Sequence, residues 1–336
     1  MALQSNGPMH IHWAPADRSH WDDFHSQALG GLQQSWAYGQ ALEQLQVPVL
    51  RAAITANPDP RSPWLGAVQF IVHRLPWFVR FAYAQGGPLW APDTDPTAQI
   101  TAQTTAQTTA LAALRATLPL RRPRVALFSP PQTVQPFSKR PRLLTGGSSV
   151  ILDLTQDEAT RRAAQEAKWR NRLNAAERGP LKIRRCGPKL SDIQWLIDAE
   201  AQQRRSRRYF TLPTGFVEAY LATNSAPRHT ARHASQGKPT PPAILTLAAE
   251  LKNHRCAGMM FLLHGRSATY HLGWTDDTGR EHSAHNLLLW QACTLLAENG
   301  VQQLDLGGVD TEQNPGLARF KLGSGGRVVT GPGTYL

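Results

Sequence analysis

Strand-like segments follow one another at hairpin spacing in the second half of the chain. They run from Ala243 to Glu250, Cys256 to His264 and Ala268 to Gly273, with a further segment, Arg228 to Ala234, ahead of them. The first half repeats the arrangement with Val49 to Ala56, Trp64 to His73 and Trp77 to Tyr83. Helical patterns lie before and after these runs, not between their members. Consecutive strands with segregated helices exclude a strict strand–helix alternation and predict the α+β class.

Around these runs the remaining elements fall into place. A strand at residues 9–14 precedes helical sequence from Asp17 to Leu45, interrupted at Gly30-Gly31. A charge-free Thr/Ala/Gln tract at 97–110 continues into LAALRATLP, and together they predict a helix crossing over to the strand Val125 to Ser129. The proline- and arginine-rich stretch from Pro130 to Gly147 reads as a linker. It divides the chain into residues 1–147 and 148–336. After a strand at VILDL, one helix is expected from Asp157 to Arg178. A strand from Leu181 to Cys186 follows, then helices at Ser191 to Arg207 and Pro213 to Asn224. SQGKPTPP reads as a disordered hairpin tip.

The 336 residues, 41% hydrophobic with ten tryptophans, suffice for two packed domains. No run approaches twenty apolar residues and the first eleven lack a signal pattern, so the chain reads as soluble and cytoplasmic, with a monomer as the default. Three widely separated cysteines and scattered histidines, the pairs His10/His12 and His282/His285 included, offer neither a disulfide frame nor metal-ligand spacing. Neither a metal nor a bound cofactor is expected. The net charge of +12 implies an anionic partner, and residues 161–208 alone carry +9.

The last fifty residues hold the densest candidate site. An apolar helix stops at Asn299-Gly300, and a strand from Val301 to Leu306 ends in Gly307-Gly308. The acidic positions Asp310 and Glu312 then lead to a short amphipathic piece carrying Phe320-Lys321. A basic residue held between two glycine-rich turns is the pattern of an oxyanion or phosphate site.

Several stretches resemble the Fem-type aminoacyltransferases, which are built from two GNAT-like domains. QSWAYGQALE (Gln34 to Glu43) is similar to their Q-S-x-x-W/Y-G/A helix, and GGPLW (Gly86 to Trp90) to their G-G-P strand end. SVILDLTQDE followed by KWRNRLNAAERGPLKIRR resembles their strand and basic helix. LLLWQACTLLAENGVQQLDLGG with GLARFKLGSGG resembles their D-x-G-G and F-K region. The resemblance implies two tandem GNAT-like domains, each a mixed, mostly antiparallel sheet flanked by helices. It implies transfer of an amino acid from aminoacyl-tRNA, as co-substrate, to the amine of a peptidoglycan precursor, a peptide or a small metabolite. The chain departs from the family in lacking the long coiled-coil insertion of some members and in its loose first-half signature.

Carried onto matching positions, the resemblance makes Lys321 the group that stabilises the tetrahedral oxyanion, with the Phe320 carbonyl orienting the nucleophile. Asp305, Gly307, Gly308, Asp310 and Glu312 become candidate substrate contacts, together with Trp36 and Tyr38. Lys168, Arg170 and Arg172, with Arg204, Arg205, Arg207 and Arg208, become candidate phosphate contacts to tRNA. Two other readings fit parts of the chain. An acyl-CoA-dependent GNAT N-acyltransferase would carry (Q/R)-x-x-G-x-(G/A) at a helix start, and Pro188 spoils the nearest match, RRCGPK. A nonenzymatic nucleic-acid binder would suit the charge and leave the Gly-Gly and Phe-Lys motifs without a role.

Overall fold

The computed structural model describes residues 8–15, 17–74, 80–92, 100–131, 140–207, 212–213, 215–225 and 242–336. The elements in chain order begin with β1 (His10–Trp13), α1 (Arg18–Gln27), a 3-10 turn at Leu32–Gln34, α2 (Trp36–Gln44), β2 (Val49–Thr55) and β3 (Trp64–Arg74). β4 (Arg80–Gln85), β5 (Leu89–Trp90), α3 (Ile100–Thr117), β6 (Val125–Ser129) and β7 (Arg142–Leu144) follow. Next come β8 (Ser148–Asp153), α4 (Glu158–Ala163), α5 (Ala167–Glu177), β9 (Lys182–Arg185), α6 (Leu190–Arg207) and α7 (Phe216–Ser225). β10 (Ile244–Leu251), β11 (His254–His264), β12 (Ser267–Thr275), α8 (Asp277–Glu281) and α9 (Ala284–Glu298) lead to β13 (Gln303–Gly308), α10 (Pro315–Leu322), β14 (Arg327–Thr330) and β15 (Thr334–Tyr335). The segment expected as a strand at 228–234 and the SQGKPTPP tip lie outside the described residues.

Two compact units result, one of residues 1–147 with 330–336 and one of residues 148–329. The last seven residues therefore leave the half to which the sequence assigned them. β15 pairs with both β6 and β7, so part of the expected linker is a strand of the first unit's sheet. The first sheet runs β1-β2-β3-β4-β6-β15-β7, with β5 paired to β3. The second runs β14-β8-β13-β12-β11-β10-β9. Each contains a parallel pair, β4 with β6 and β12 with β13, surrounded by antiparallel neighbours. A parallel pair needs a crossover, and α3 and α9 supply it.

Helix periodicity decides how these crossovers pack. Ala284, Leu288, Ala292 and Leu296 recur every fourth residue of α9, and each is fully buried against the second sheet. In α3 the low-complexity composition still carries an apolar face, with Leu111, Leu114 and Leu118 fully buried. The central strand β11 is buried on both faces, from Cys256 to Leu262 with Gly258 among them, as a strand covered by helices on each side must be. The single helix expected from Asp157 to Arg178 is instead two. The chain breaks after Ala163, and the Glu166 N–H reaches the Gly323 carbonyl at 3.1 Å, an acceptor that an unbroken helix would forgo.

In the first unit a buried pair of glutamines ties the elements together. The Gln34 carboxamide donates to the Gln69 and Gln85 carbonyls at 3.0 and 2.8 Å and accepts the Gln69 N–H at 2.8 Å. The Gln69 side chain donates in turn to the carbonyls of Gln33 and Ser35. Ser35 caps α2 by accepting the Tyr38 N–H at 3.2 Å. A Cβ at Gly39 would lie 2.1 Å from Gln69 Oε1, and one at Gly87 would lie 2.6 Å from the Gln34 carboxamide. Gln34→Leu is expected to leave three backbone groups unpaired in the interior. It should lower the unfolding free energy by about 3 kcal/mol, measured as a drop in urea midpoint; an unchanged midpoint would contradict this account.

Candidate active site

The two parallel pairs differ at their carboxyl ends. In the first unit β4 and β6 stay in register through Gln85 and Ser129. In the second, β12 and β13 pair only from Ser267 with Gln303 to Thr269 with Asp305, and then diverge. A cleft of about 690 Å³ opens where residues 270–275 and 306–308 no longer pair, with α6 and α10 contributing to its walls. Clefts at the carboxyl ends of diverging parallel strands are where open sheets hold ligands.

The D-x-G-G sequence shapes this opening. On the other side of β13, pairing with β8 slips between Asp305 and Gly308, so two residues of β13 oppose one of β8. Asp305 Oδ1 accepts the Gly307 N–H at 2.7 Å, and Gly307 turns with φ +77°, a conformation glycine adopts without strain. The bulge turns the Gly308 carbonyl towards α10, where it accepts a hydrogen bond from Lys321 Nζ at 2.8 Å.

Lys321 is only 6% exposed yet lines the cleft. Burial pushes its pKa below the ordinary 10.5, and the nearby Asp305 carboxylate opposes that shift. Burial pushes the Asp305 carboxyl upward, against the Gly307 N–H and Lys321. Two histidines complete the polar lining. Burial lowers His271 to about 4, and its ring packs 5.8 Å from Phe216. Burial also lowers His285, whose Nε2 lies 3.0 Å from the Trp274 carbonyl. Both imidazoles are therefore uncharged at neutral pH, and the cleft's fixed positive charge comes from Lys321 and Arg280.

Beside this cleft, and sharing Arg280 and His285 with it, lies a depression of about 500 Å³ at the start of α9. Ser283 there adopts φ +53° and caps nothing with its side chain. Arg172 and Arg280 line the depression. So does Asn286, which is 5% exposed and whose buried Nδ2 has no hydrogen-bond partner among the described residues. A helix N-terminus with two guanidinium groups and an unsatisfied amide is an arrangement for an anion. Neither Asn286 nor the histidines was singled out in the sequence, where nothing separates them from ordinary helix and strand residues.

The other expected contacts scatter. Phe320 packs against the cleft, but its carbonyl accepts the Trp169 indole N–H at 3.0 Å, so the nucleophile-orienting role expected for it falls on an oxygen already engaged. Asp310 and Glu312 are exposed and do not line the cleft; the Asp310 carboxylate instead accepts the N–H groups of Glu312 and Gln313. Trp36 and Tyr38 belong to the first unit, where Tyr38 is buried and Trp36 lies under the Arg51 guanidinium at 4.3 Å. Of the basic helix, Lys168 is exposed, and Arg170 donates to the carbonyls of Ala163 and Gln165, closing the α4–α5 corner. Arg172 alone of the three lines a depression. Arg204 donates to the Leu212 carbonyl, Arg205 is exposed, Arg207 ends α6, and Arg208 lies outside the described residues.

Known proteins bear on this architecture. Residues 161–322 match the family model described as an acetyltransferase (GNAT) domain. The crystal structure of FemX superposes with a TM-score of 0.70 over 96% of each chain at 11% identity. The fold is Fem-type. A conserved protein of unknown function from Bacteroides thetaiotaomicron shares this Fem-type fold, with a TM-score of 0.56 over 97% of this chain and 98% of that one at 10% identity. No curated protein matches the chain. The tandem α+β architecture and an acyltransferase assignment within the GNAT superfamily agree with these likenesses. No helix among the described residues is long and apolar enough to cross a membrane, and no described cluster of His, Cys, Asp or Glu could hold a metal ion.

The lowered pKa of Lys321 has a consequence for stability. The native state binds fewer protons than the unfolded chain between that lowered pKa and 10.5, so wild-type stability rises with pH across this window. Lys321→Met removes the dependence. Urea unfolding at pH 7 and pH 10 should therefore give a wild-type-minus-variant difference that grows with pH; a constant difference would contradict the assignment of a buried ammonium.

Proposed function

We infer that the chain is an aminoacyltransferase that moves an amino acid from aminoacyl-tRNA to an amine, forming an amide bond. The observation that carries this reading is the juxtaposition of the buried Lys321 ammonium, in the strand-divergence cleft, with the anion-suited start of α9 next to it. The cleft would take the acyl ester and the amine. The depression lined by Arg172, Arg280 and Asn286 would hold a phosphate of the donor's 3′ end.

In the reaction the amine nitrogen, arriving neutral, attacks the ester carbonyl carbon, and the carbonyl electron pair moves onto oxygen. Lys321, held by Gly308 and Asp305, donates a charge-assisted hydrogen bond to that developing oxyanion, in a site where water does not screen it. The carbon–oxygen bond to the ribose then breaks, and the proton released by the amine ends on the departing ribose hydroxyl. His271 and His285, uncharged, add no positive charge that would repel an incoming ammonium. The acceptor belongs to the class of amine-bearing peptides, peptidoglycan precursors or small metabolites.

A second reading is acyl transfer from an acyl-CoA. It is favoured by the acetyltransferase description of the matched family model and by the capacity of the same α9 depression to hold a pyrophosphate. Purified protein supplied with radiolabelled aminoacyl-tRNA or labelled acetyl-CoA, each with an amine acceptor mixture, separates the two. Label transfer from aminoacyl-tRNA alone is expected. Lys321→Met should cut turnover about 100-fold, the scale of losing one oxyanion donor, and a loss below about threefold would remove Lys321 from this role. Donor binding should weaken steeply between about 50 and 200 mM salt if phosphates dominate it.

A further inference from the structure

One carboxylate, Glu200, lines the cleft, and it is only 4% exposed. It sits on α6, which packs on β12, and Gln203 follows it one turn later on the same face, also lining the cleft. The two cations of the cleft are engaged elsewhere. Lys321 donates to the Gly308 carbonyl, and Arg280 donates to the Thr275 carbonyl at 2.8 Å and pairs with Asp277. The acidic residues suggested by sequence for amine recognition, Asp310 and Glu312, lie outside the cleft.

Building on the aminoacyl-transfer reading above, we propose that Glu200, with the Gln203 amide beside it, is the specificity determinant that receives a substrate ammonium group inside the cleft. An ionised carboxylate accepts hydrogen bonds only, and an ammonium offers three donors, so the pair is chemically matched. The reaction supplies two such groups. One is the α-ammonium that the transferred amino acid keeps throughout; the other is the acceptor amine before it loses its proton. A carboxylate withdrawn from water discriminates strongly, because a ligand lacking the ammonium leaves it buried without that counter-charge. Donors or acceptors deprived of the amine would be rejected at binding, not at the chemical step.

The test uses the full chain and two stable donor probes, an adenosine carrying an aminoacyl group through a 3′-amide and its desamino counterpart. With the wild type, titration calorimetry should give at least about tenfold tighter binding of the amine-bearing probe. In Glu200→Gln that ratio should fall to about one, with the desamino affinity unchanged, since both probes are read on the same preparation. Should the ammonium instead be the acceptor's, the wild type shows no preference between probes. Glu200→Gln then raises the acceptor KM about tenfold and leaves the donor KM unaltered. Equal weakening of both probes, or no change in probe ratio and acceptor KM, overturns the proposal and leaves the transfer reading intact. A wild type that binds neither probe and transfers no aminoacyl group overturns the transfer reading itself. If Glu200→Gln does not fold, Glu200→Asp keeps the charge and draws it back by one methylene. That variant should reduce whichever effect the wild type displays to about threefold, and an unchanged value overturns the proposal.

Discussion

The hydrogen bond from Lys321 to the Gly308 carbonyl holds the second unit's cleft in its shape. A lysine that is 6% exposed needs an acceptor and a counter-charge, and both come from one bulge. Asp305 turns the strand by accepting the Gly307 N–H, and Gly307 takes the positive φ that the turn demands. The same bulge ends the pairing of β13 with its neighbours, so the cleft and the lysine that serves it share one cause. α10 is held from behind by Trp169, whose indole N–H reaches the Phe320 carbonyl and whose ring lies against the position where a Cβ on Gly323 would intrude.

Two units with the same parallel-pair topology thus diverge in what they can do. In the first, β4 and β6 remain paired to their ends, and the Gln34 carboxamide fills the corner by bonding to Gln69 and Gln85. Both family-like motifs of that half converge on this residue. The Q-S-x-x-Y-G helix supplies Gln34, its Ser35 cap and the space at Gly39, and the G-G-P turn supplies Gly87 against the carboxamide. Their order in sequence reads as a binding signature, and in the folded chain they are a packing device. Motif residues marked in advance as substrate contacts, Trp36 and Tyr38, belong to the same packing.

Much of the secondary structure was legible because its causes are local. The fourfold-spaced apolar stripe of α9, its stop at Asn299-Gly300 and the strand that follows are properties of neighbouring residues. The break at 164–166 was not legible, since the acceptor that rewards it, the Gly323 carbonyl, lies more than 150 residues away. The basic run from 161 to 208 was legible as charge but not as function. Arg162 pairs with Glu177, Arg170 holds a corner and Arg204 meets a loop carbonyl, which leaves Arg172 at the start of α9.

The amino-acid sequence by itself determined the α+β class, the two cycles of strands, the Asp-x-Gly-Gly turn and the presence of one lysine between glycine-rich segments. Those follow from periodicity, glycine conformation and hydrogen bonding over a few residues. Only the tertiary structure decided that β12 and β13 part after Thr269 and Asp305, and that Glu200, Asn286, His271 and His285 join Lys321 around the opening. It also decided that Asp310 and Glu312 do not. Which side chains share a cleft depends on register and packing between segments far apart in the chain, and no local pattern encodes it.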